Sequence, residues 1–141
     1  AIGSAHLKLL ELAKLISPPT SSAEQWLIVI GAFWIAYSDG SFDISERREV
    51  AKICSDTEFA DLHKLGEEQE DPDYFFQSMF EEAISGLEIK KTKKAILIDS
   101  VVAIARADGR VSEKEKEVLF KIADKLELDH RFVSHSLGKI R

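Results

Sequence analysis

The feature that most constrains the fold of this chain is a short turn motif that occurs twice. Residues 27–54 align with residues 96–123 at a constant offset, and the turn lies in the middle of each copy. Between residues 37 and 51 the pairs that are identical in the two copies are Asp39 with Asp108, Gly40 with Gly109 and Glu46 with Glu115. Because Asp-Gly tolerates left-handed backbone angles, each copy predicts a tight turn.

The apolar residues on both sides of the turn also repeat, at the three- and four-residue spacing of an amphipathic helix. The matched pairs are Leu27 with Ile96, Ile28 with Leu97, Ile35 with Ile104, Ala36 with Ala105, Val50 with Leu119 and Ile53 with Ile122. Each copy therefore predicts a helix-turn-helix hairpin, and we expect the two hairpins to pack through their matching apolar faces.

Helical spacing extends along nearly the whole chain, and the strict alternation typical of strands is nearly absent. We predict one all-α domain over residues 1–141, with about seven helices. The repeat units are placed at about 22–56 and 91–126, with a helical insertion at 57–90. A first helix is expected at residues 7–16, and the acidic, less regular segment 57–71 predicts only a short helix. The other expected helix starts are Ser21 or Ser22, Asp43, Asp71 followed by Pro72, Lys91 or Thr92, Ser112, and Asp129.

The composition excludes several classes of protein. Hydrophobic residues make up 45% and charged residues 31% of the chain, which is typical of a globular domain. The net charge of -6 disfavours non-specific nucleic-acid binding, which relies on neutralising phosphates. Cys54 is the single cysteine, which excludes an intramolecular disulfide and suits a reducing cytosol. The longest apolar run, residues 26–37, is shorter than the roughly 20 residues of a membrane-spanning helix. We see no signal peptide at the visible N-terminus, and Ala1 in place of Met suggests a missing start.

The turn matches the second half of a calcium-binding EF-hand loop, including the glycine and the terminal glutamate. The first and third loop positions, normally carboxylates, are occupied here by residues of the incoming helix. They are Ile35 and Tyr37 in the first copy, and Ile104 and Arg106 in the second. Because each loop lacks about half of its ligands, the sequence excludes a standard EF-hand.

Helix capping explains the carboxylates of the motif without a ligand. Asp43 with Glu46, and Ser112 with Glu115, both have capping-box spacing, in which the glutamate returns to the amide of the cap residue. The alternative is a cation site shared by the two copies, with an oxygen-rich shell that suits Ca²⁺, Mg²⁺ or Mn²⁺. Its ligands would be Asp39, Asp43, Glu46, Asp108 and Glu115.

Residues 35–40 and 104–115 resemble the signature of the TerB-like family, and residues 122–128 resemble its end. This family includes tellurite-resistance proteins and the N-terminal region of a DnaJ-like membrane co-chaperone. The resemblance covers about residues 22–135. It implies an all-helical domain without catalytic activity, a role in stress responses, and an acidic cluster where the two turns approach. The sequence departs from the family pattern at Tyr37-Ser38.

Histidine and cysteine residues favour structural roles. The four histidines are scattered at positions 6, 63, 130 and 135, and we expect them at the surface. Cys54 lies on an apolar face with Val50 and Ile53, which predicts a buried, unreactive thiol.

Two further segments have both a structural and a binding interpretation. The phenylalanine-rich segment 75–80 is expected in the core, with a groove for a partner helix as the alternative. Four lysines, Lys90, Lys91, Lys93 and Lys94, lie at a predicted helix N-terminus, where cations oppose the helix dipole. A solvated face is expected there, and contact with anionic lipid headgroups is the alternative.

Together with the resemblance to the TerB-like family, these features predict a non-enzymatic, cytoplasmic stress-response protein. It would act as a scaffold for other proteins, with an acidic, possible cation-binding site between the turns. One alternative is a metal-dependent hydrolase or metal-sensing domain that uses the same carboxylates. Another is a membrane-adjacent co-chaperone recruitment module, peripheral to the inner membrane, that uses the lysines.

Overall fold

A computed structural model of the chain describes residues 23–38, 44–85, 87–107, 109 and 111–138. Within these residues all regular secondary structure is helical, as the sequence predicts, and the seven helices form a single all-α domain. They are α1 (Ala23–Ser38), α2 (Ile44–Val50), α3 (Asp56–Glu67), α4 (Pro72–Ser85), α5 (Lys91–Ala105), α6 (Glu113–Lys125) and α7 (Arg131–Gly138). The helix expected at residues 7–16 lies outside the described residues, as do the expected starts at Ser21, Ser22 and Asp43.

Helix α1 forms the centre of the domain. Its residues from Leu27 to Ala36 are apolar apart from Gly31, and every side chain of this run is buried. A helix that is hydrophobic on all sides needs neighbours on all sides. Helices α4, α5 and α6 supply them by packing around α1.

Aromatic contacts join α1 to α4. Phe33 lies 5.3 Å from Phe76 and Trp34 lies 5.8 Å from Phe80, measured between ring centroids. The indole Nε1 of the buried Trp34 donates a hydrogen bond of 2.8 Å to Oδ1 of Asp73, which satisfies the ring's polar atom inside the core. The phenylalanine-rich segment therefore belongs to the core as expected, and its alternative interpretation as a groove for a partner helix is wrong.

The two predicted hairpins, α1–α2 and α5–α6, contact each other through their first helices. Helix α1 packs against α5 and α6, and α5 packs against α1 and α2. Each first helix therefore contacts both helices of the other hairpin, which is the relation expected between two copies that pack on each other. The exact boundaries of the repeat units stay a prediction.

Helix α3 is longer than the sequence predicted. It has three turns, because Ser55 caps its first turn and Phe59 and Leu62 are buried in the core. Gly66 permits close approach near its end, since a Cβ at that position would lie 2.8 Å from Cε2 of Phe76. The acidic segment that looked irregular is thus a regular helix with one apolar face.

The expected starts of the later helices agree with the structure. The carboxylate of Asp71 accepts a hydrogen bond of 3.1 Å from the amide of Tyr74, and Pro72 is the first residue of α4. Helix α5 begins at Lys91, one of its two expected starts. The carboxylate of Asp129 accepts a hydrogen bond of 2.8 Å from the amide of Arg131, where α7 begins.

Candidate functional site

The five residues predicted for a shared cation site are only partly described by the structure. Asp39, Asp43 and Asp108 lie outside the described residues, so a cation site shared by the two turns stays a prediction. Glu46 and Glu115 are both buried, with 4% and 5% of their surfaces exposed. Each lies in the first turn of the helix that follows an Asp-Gly turn. Burial of a carboxylate is costly unless hydrogen bonds hold it, so its partners decide its role.

Glu115 is held in the capping box that the sequence predicted. Its Oε1 accepts a hydrogen bond of 2.9 Å from the amide of Ser112. In return, Oγ of Ser112 accepts a hydrogen bond of 3.1 Å from the amide of Glu115. These two bonds satisfy two amide groups at the start of α6 that have no partner within the helix.

A second capping box opens α3, and the sequence interpretation missed it. Oε1 of Glu58 accepts a hydrogen bond of 2.8 Å from the amide of Ser55, and Oγ of Ser55 accepts one of 3.0 Å from the amide of Glu58. Glu58 is buried like Glu115. The signal was present as a serine followed three residues later by glutamate. Such a box therefore occurs away from the Asp-Gly turns as well.

These geometries define what the buried glutamates do. Glu58 and Glu115 each hold the amide of a cap residue, and Glu46 has the equivalent position in the first hairpin. A cation at Glu115 would have to share that carboxylate with the amide of Ser112. In the described part of the chain, no cluster of three or more histidine, cysteine or acidic residues is placed to hold a metal ion.

An open groove lies where the end of α4, the start of α5 and the end of α6 meet. Its volume is about 730 Å³, which is in the range of ligand-binding clefts. We call it the lysine groove; its lining residues are Ile84, Ser85, Leu87, Glu88, Ile89, Lys90, Lys94, Lys125, Leu126 and Glu127. The lysines are evident in the sequence but the groove is not, because its walls come from segments far apart in sequence.

The start of α5 gives one wall of the groove its positive charge. Lys90 is the N-cap residue and makes no side-chain hydrogen bond to the helix, and no acidic residue lies in the first turn. Lys91, Lys93 and Lys94 follow, so four cations lie at the positive end of the helix dipole. The repulsion between these charges and the helix dipole lowers the stability of α5. An anion bound at the same place would offset that repulsion.

The opposite wall contains a strained backbone position. Glu127 has φ of 59°, a left-handed conformation that is unfavourable for residues other than glycine. It follows α6, and the amides of Glu127 and Leu128 donate to the carbonyls of Asp124 and Ala123 at 3.0 and 2.8 Å. This pattern is a Schellman motif, which usually has glycine at the left-handed position.

The cysteine thiol and the histidine side chains of the described residues lie outside the groove. Burial, with Glu58 and Asp56 nearby, raises the pKa of the Cys54 thiol to about 11, so the thiolate nucleophile is disfavoured at neutral pH. His130 and His135 are exposed as expected, and His130 lies 2.7 Å from Oδ1 of Asp124. His63 is half-buried beside Phe59 and Tyr37, and His6 lies outside the described residues.

The fold and the groove define a class: a small all-helical domain built on two helical hairpins, with an open, lysine-rimmed cleft. The family model described as tellurite resistance protein TerB matches residues 55–135, more than half of the chain. The chain therefore belongs to the TerB family. The match contains the second Asp-Gly turn and the whole lysine groove, whereas the first turn precedes it. The search of curated proteins found no match, and neither did the search of solved structures. None of the described helices is both long enough and apolar enough to cross a membrane.

Proposed function

We propose that this chain is a non-enzymatic protein-interaction module that acts in the cytoplasm in tellurite and related stress responses. In this proposal its partner docks in the lysine groove. The observation that carries the proposal is the groove itself, an open cleft of about 730 Å³ with apolar and cationic walls inside the family-matched region. Open clefts that combine apolar side chains with a few charged ones are typical of recognition sites.

The surroundings of the acidic and thiol groups support a role without catalysis. Catalytic acids and bases need exposed, tuned positions near a substrate cleft. Glu115 and Glu58 are instead buried in capping boxes, and neither lines the groove. The Cys54 thiol, with its raised pKa, is also buried away from the groove.

The proposal is tested by replacing Leu87, which is 36% exposed in the groove. In cells whose tellurite tolerance depends on this protein, we expect Leu87→Asp to lose tolerance while the purified variant keeps its helical circular dichroism. The control is Ile96→Asp, because Ile96 is exposed but does not line the groove. Full tolerance with Leu87→Asp, or equal loss with both variants, would contradict docking in the groove.

A second candidate function is a divalent-cation site made by Asp39, Asp43, Glu46, Asp108 and Glu115. The equivalent positions of Glu46 and Glu115 after the two Asp-Gly motifs favour it, since paired turns could share an ion. This site would also serve the alternative of a metal sensor or metal-dependent hydrolase. Calorimetric titration with Ca²⁺, Mg²⁺, Mn²⁺ and Zn²⁺ tests it, with Glu46→Gln/Glu115→Gln as the variant. Glutamine retains the capping geometry, so loss of binding heat without loss of stability would identify the carboxylates as ligands.

A further inference from the structure

We propose that the lysine groove binds a short acidic, amphipathic peptide segment of a partner protein. This inference rests on the proposed function and adds the chemistry of the partner. The segment would place apolar side chains against the floor of the groove and carboxylates beside the lysines. Three features carry the proposal: the apolar floor, the charge of one wall, and the concave shape.

The floor of the groove is apolar and held in place. Leu126 is buried beneath it, Ile84 and Ile89 are half-buried, and Leu87 is exposed. The amide of Leu87 donates a hydrogen bond of 2.9 Å to the carbonyl of Ile84, which ties Leu87 to the last turn of α4. A site that is ordered before binding loses little conformational entropy on binding, so apolar side chains of a peptide can be buried there at low cost.

The wall formed by α5 is complementary to carboxylates. Lys90 and Lys94 are four residues apart, and both line the groove. In the described part of the chain no carboxylate pairs with either of them within 4.0 Å, whereas Lys125 on the opposite wall pairs with Glu81. Lys91 and Lys93 are exposed beside them, so the local charge is positive on a chain whose net charge is -6. An acidic segment is therefore attracted to this wall in preference to the rest of the surface.

The shape and the acidic residues of the rim favour a peptide over a membrane. The groove is concave and lined by residues from three helix ends, so a narrow peptide fits it better than a flat bilayer does. Glu88 and Glu127 also line the groove, and they would be repelled by a surface dense with anionic headgroups. A peptide can place its carboxylates on the side of Lys90 and Lys94 and leave the glutamates in water.

The experiment uses fluorescence anisotropy with the full chain and a set of synthetic peptides. Each acidic peptide has leucine or isoleucine at helical spacing, with glutamate elsewhere. A matched basic peptide has the same pattern with lysine in place of glutamate. The protein variant is Lys90→Glu/Lys94→Glu. The matched control is Lys52→Glu/Lys64→Glu, which makes the same change in net charge at two exposed lysines outside the groove.

We expect the acidic peptides to bind and the matched basic peptides to bind much more weakly. Reversing the charge at Lys90 and Lys94 should lower the affinity for the acidic peptide by about tenfold or more, whereas the control variant should keep most of its affinity. Equal affinity for acidic and basic peptides, or equal loss in both variants, would overturn the proposal. Sedimentation with phosphatidylglycerol vesicles that depends on Lys90 and Lys94, without peptide binding, would overturn it in favour of a membrane.

Failure of this inference can be told apart from failure of the proposed function. If Leu87→Asp abolishes tolerance but no acidic peptide binds, the groove functions and its partner has another chemistry. If Leu87→Asp is silent in cells, the groove itself is the wrong surface, whatever the peptides do in vitro.

Discussion

Helices α1 and α5 are the first helices of the two hairpins, and they differ in how much of their surface is covered. Leu27 in α1 is fully buried, whereas Ile96, the residue aligned with it in α5, is 57% exposed. Trp34 is fully buried, and its counterpart Ala103 is exposed. The faces of α1 and α5 that lie between the hairpins are instead buried to a similar degree, since Ile35 and Ile104 are both buried.

The inserted segment explains this difference. Helix α4 comes from the insertion between the copies and packs along α1, covering the side that holds Trp34. Helix α5 packs on α1, α2, α6 and α7 and keeps an outer face with Ile96 and Ala103 in solvent. The same motif thus specifies the same hairpin twice, and the segments around each copy decide whether it becomes core or surface.

The aligned residues at the ends of α1 and α5 also have different surroundings. Tyr37 near the end of α1 donates a hydrogen bond of 2.7 Å from its hydroxyl to Oε2 of Glu67 on α3, and burial raises the pKa of its phenol. Arg106, its counterpart after α5, donates one of 2.7 Å from Nη1 to the carbonyl of Leu137 on α7. Aligned positions therefore fasten each hairpin to the helix that follows it, through different chemistry.

The largest expected effect comes from truncating the aligned residues Leu27 and Ile96. We expect Leu27→Ala to lower the free energy of unfolding by about 2–5 kcal/mol, because it leaves a cavity in the core. Ile96→Ala should change it by no more than about 0.5 kcal/mol, because most of that side chain is in water. Urea denaturation of both variants measures the difference. Equal losses would mean that the two hairpins have the same environment.

The next effect concerns the buried indole of Trp34, a group that the second hairpin lacks. Asp73→Ala removes the acceptor of its N–H and should cost about 1–3 kcal/mol in unfolding free energy, since a buried donor is left without a partner. Asp73→Asn retains an acceptor oxygen and should recover a large part of this loss. If alanine and asparagine are equally harmful, the hydrogen bond is not what joins α1 to α4.

Substitutions at Asp43 and Ser112 test whether the second helix of each hairpin begins with the same kind of cap. Ser112→Ala removes a cap that the structure shows, and we expect a loss of about 0.5–2 kcal/mol in unfolding free energy. Asp43 is the aligned residue, and Asp43→Ala should cost a similar amount if the first copy is capped in the same way. A neutral effect at Asp43 would show that Glu46 is buried for another reason.

The smallest effect concerns the left-handed residue that ends α6. Glu127→Gly should raise the free energy of unfolding by about 0.5–1 kcal/mol, because glycine adopts this conformation without steric strain. Glu127→Ala serves as the control, since it removes the charge but keeps the backbone strain. Thermal denaturation of both variants separates the two contributions. Stabilisation by alanine alone would assign the effect to the charge.

Sequence reasoning predicted the fold to the extent that local signals controlled it. The helical spacing gave the all-α class and the start of α5, and the cap residues gave the starts of α4, α6 and α7, because caps act within a few residues. Helix α3 was underestimated because its acidic outer face dilutes the apolar pattern. Burial of Phe59 and Leu62 against other helices, which a local pattern does not show, makes it regular.

The candidate site was harder to predict because it depends on distant segments. The lysines of α5 were evident as a charge cluster, yet the groove also needs Leu87, Lys125 and Glu127, which only the packing of α4, α5 and α6 brings together. The motif glutamates illustrate the opposite case. The capping box of Glu115 was predictable because both partners lie within one turn of helix.

Whether partners bind at the lysine groove or at the Asp-Gly turns is tested most directly by amide chemical-shift mapping. ¹⁵N-labelled protein would be titrated with an acidic amphipathic peptide of the kind described above. We expect the largest shifts at residues 87–94 and 125–128, with little change at residues 44–50 and 111–116. Shifts that concentrate at the second pair of segments instead, next to Glu46 and Glu115, would contradict binding in the groove and place the binding surface at the turns.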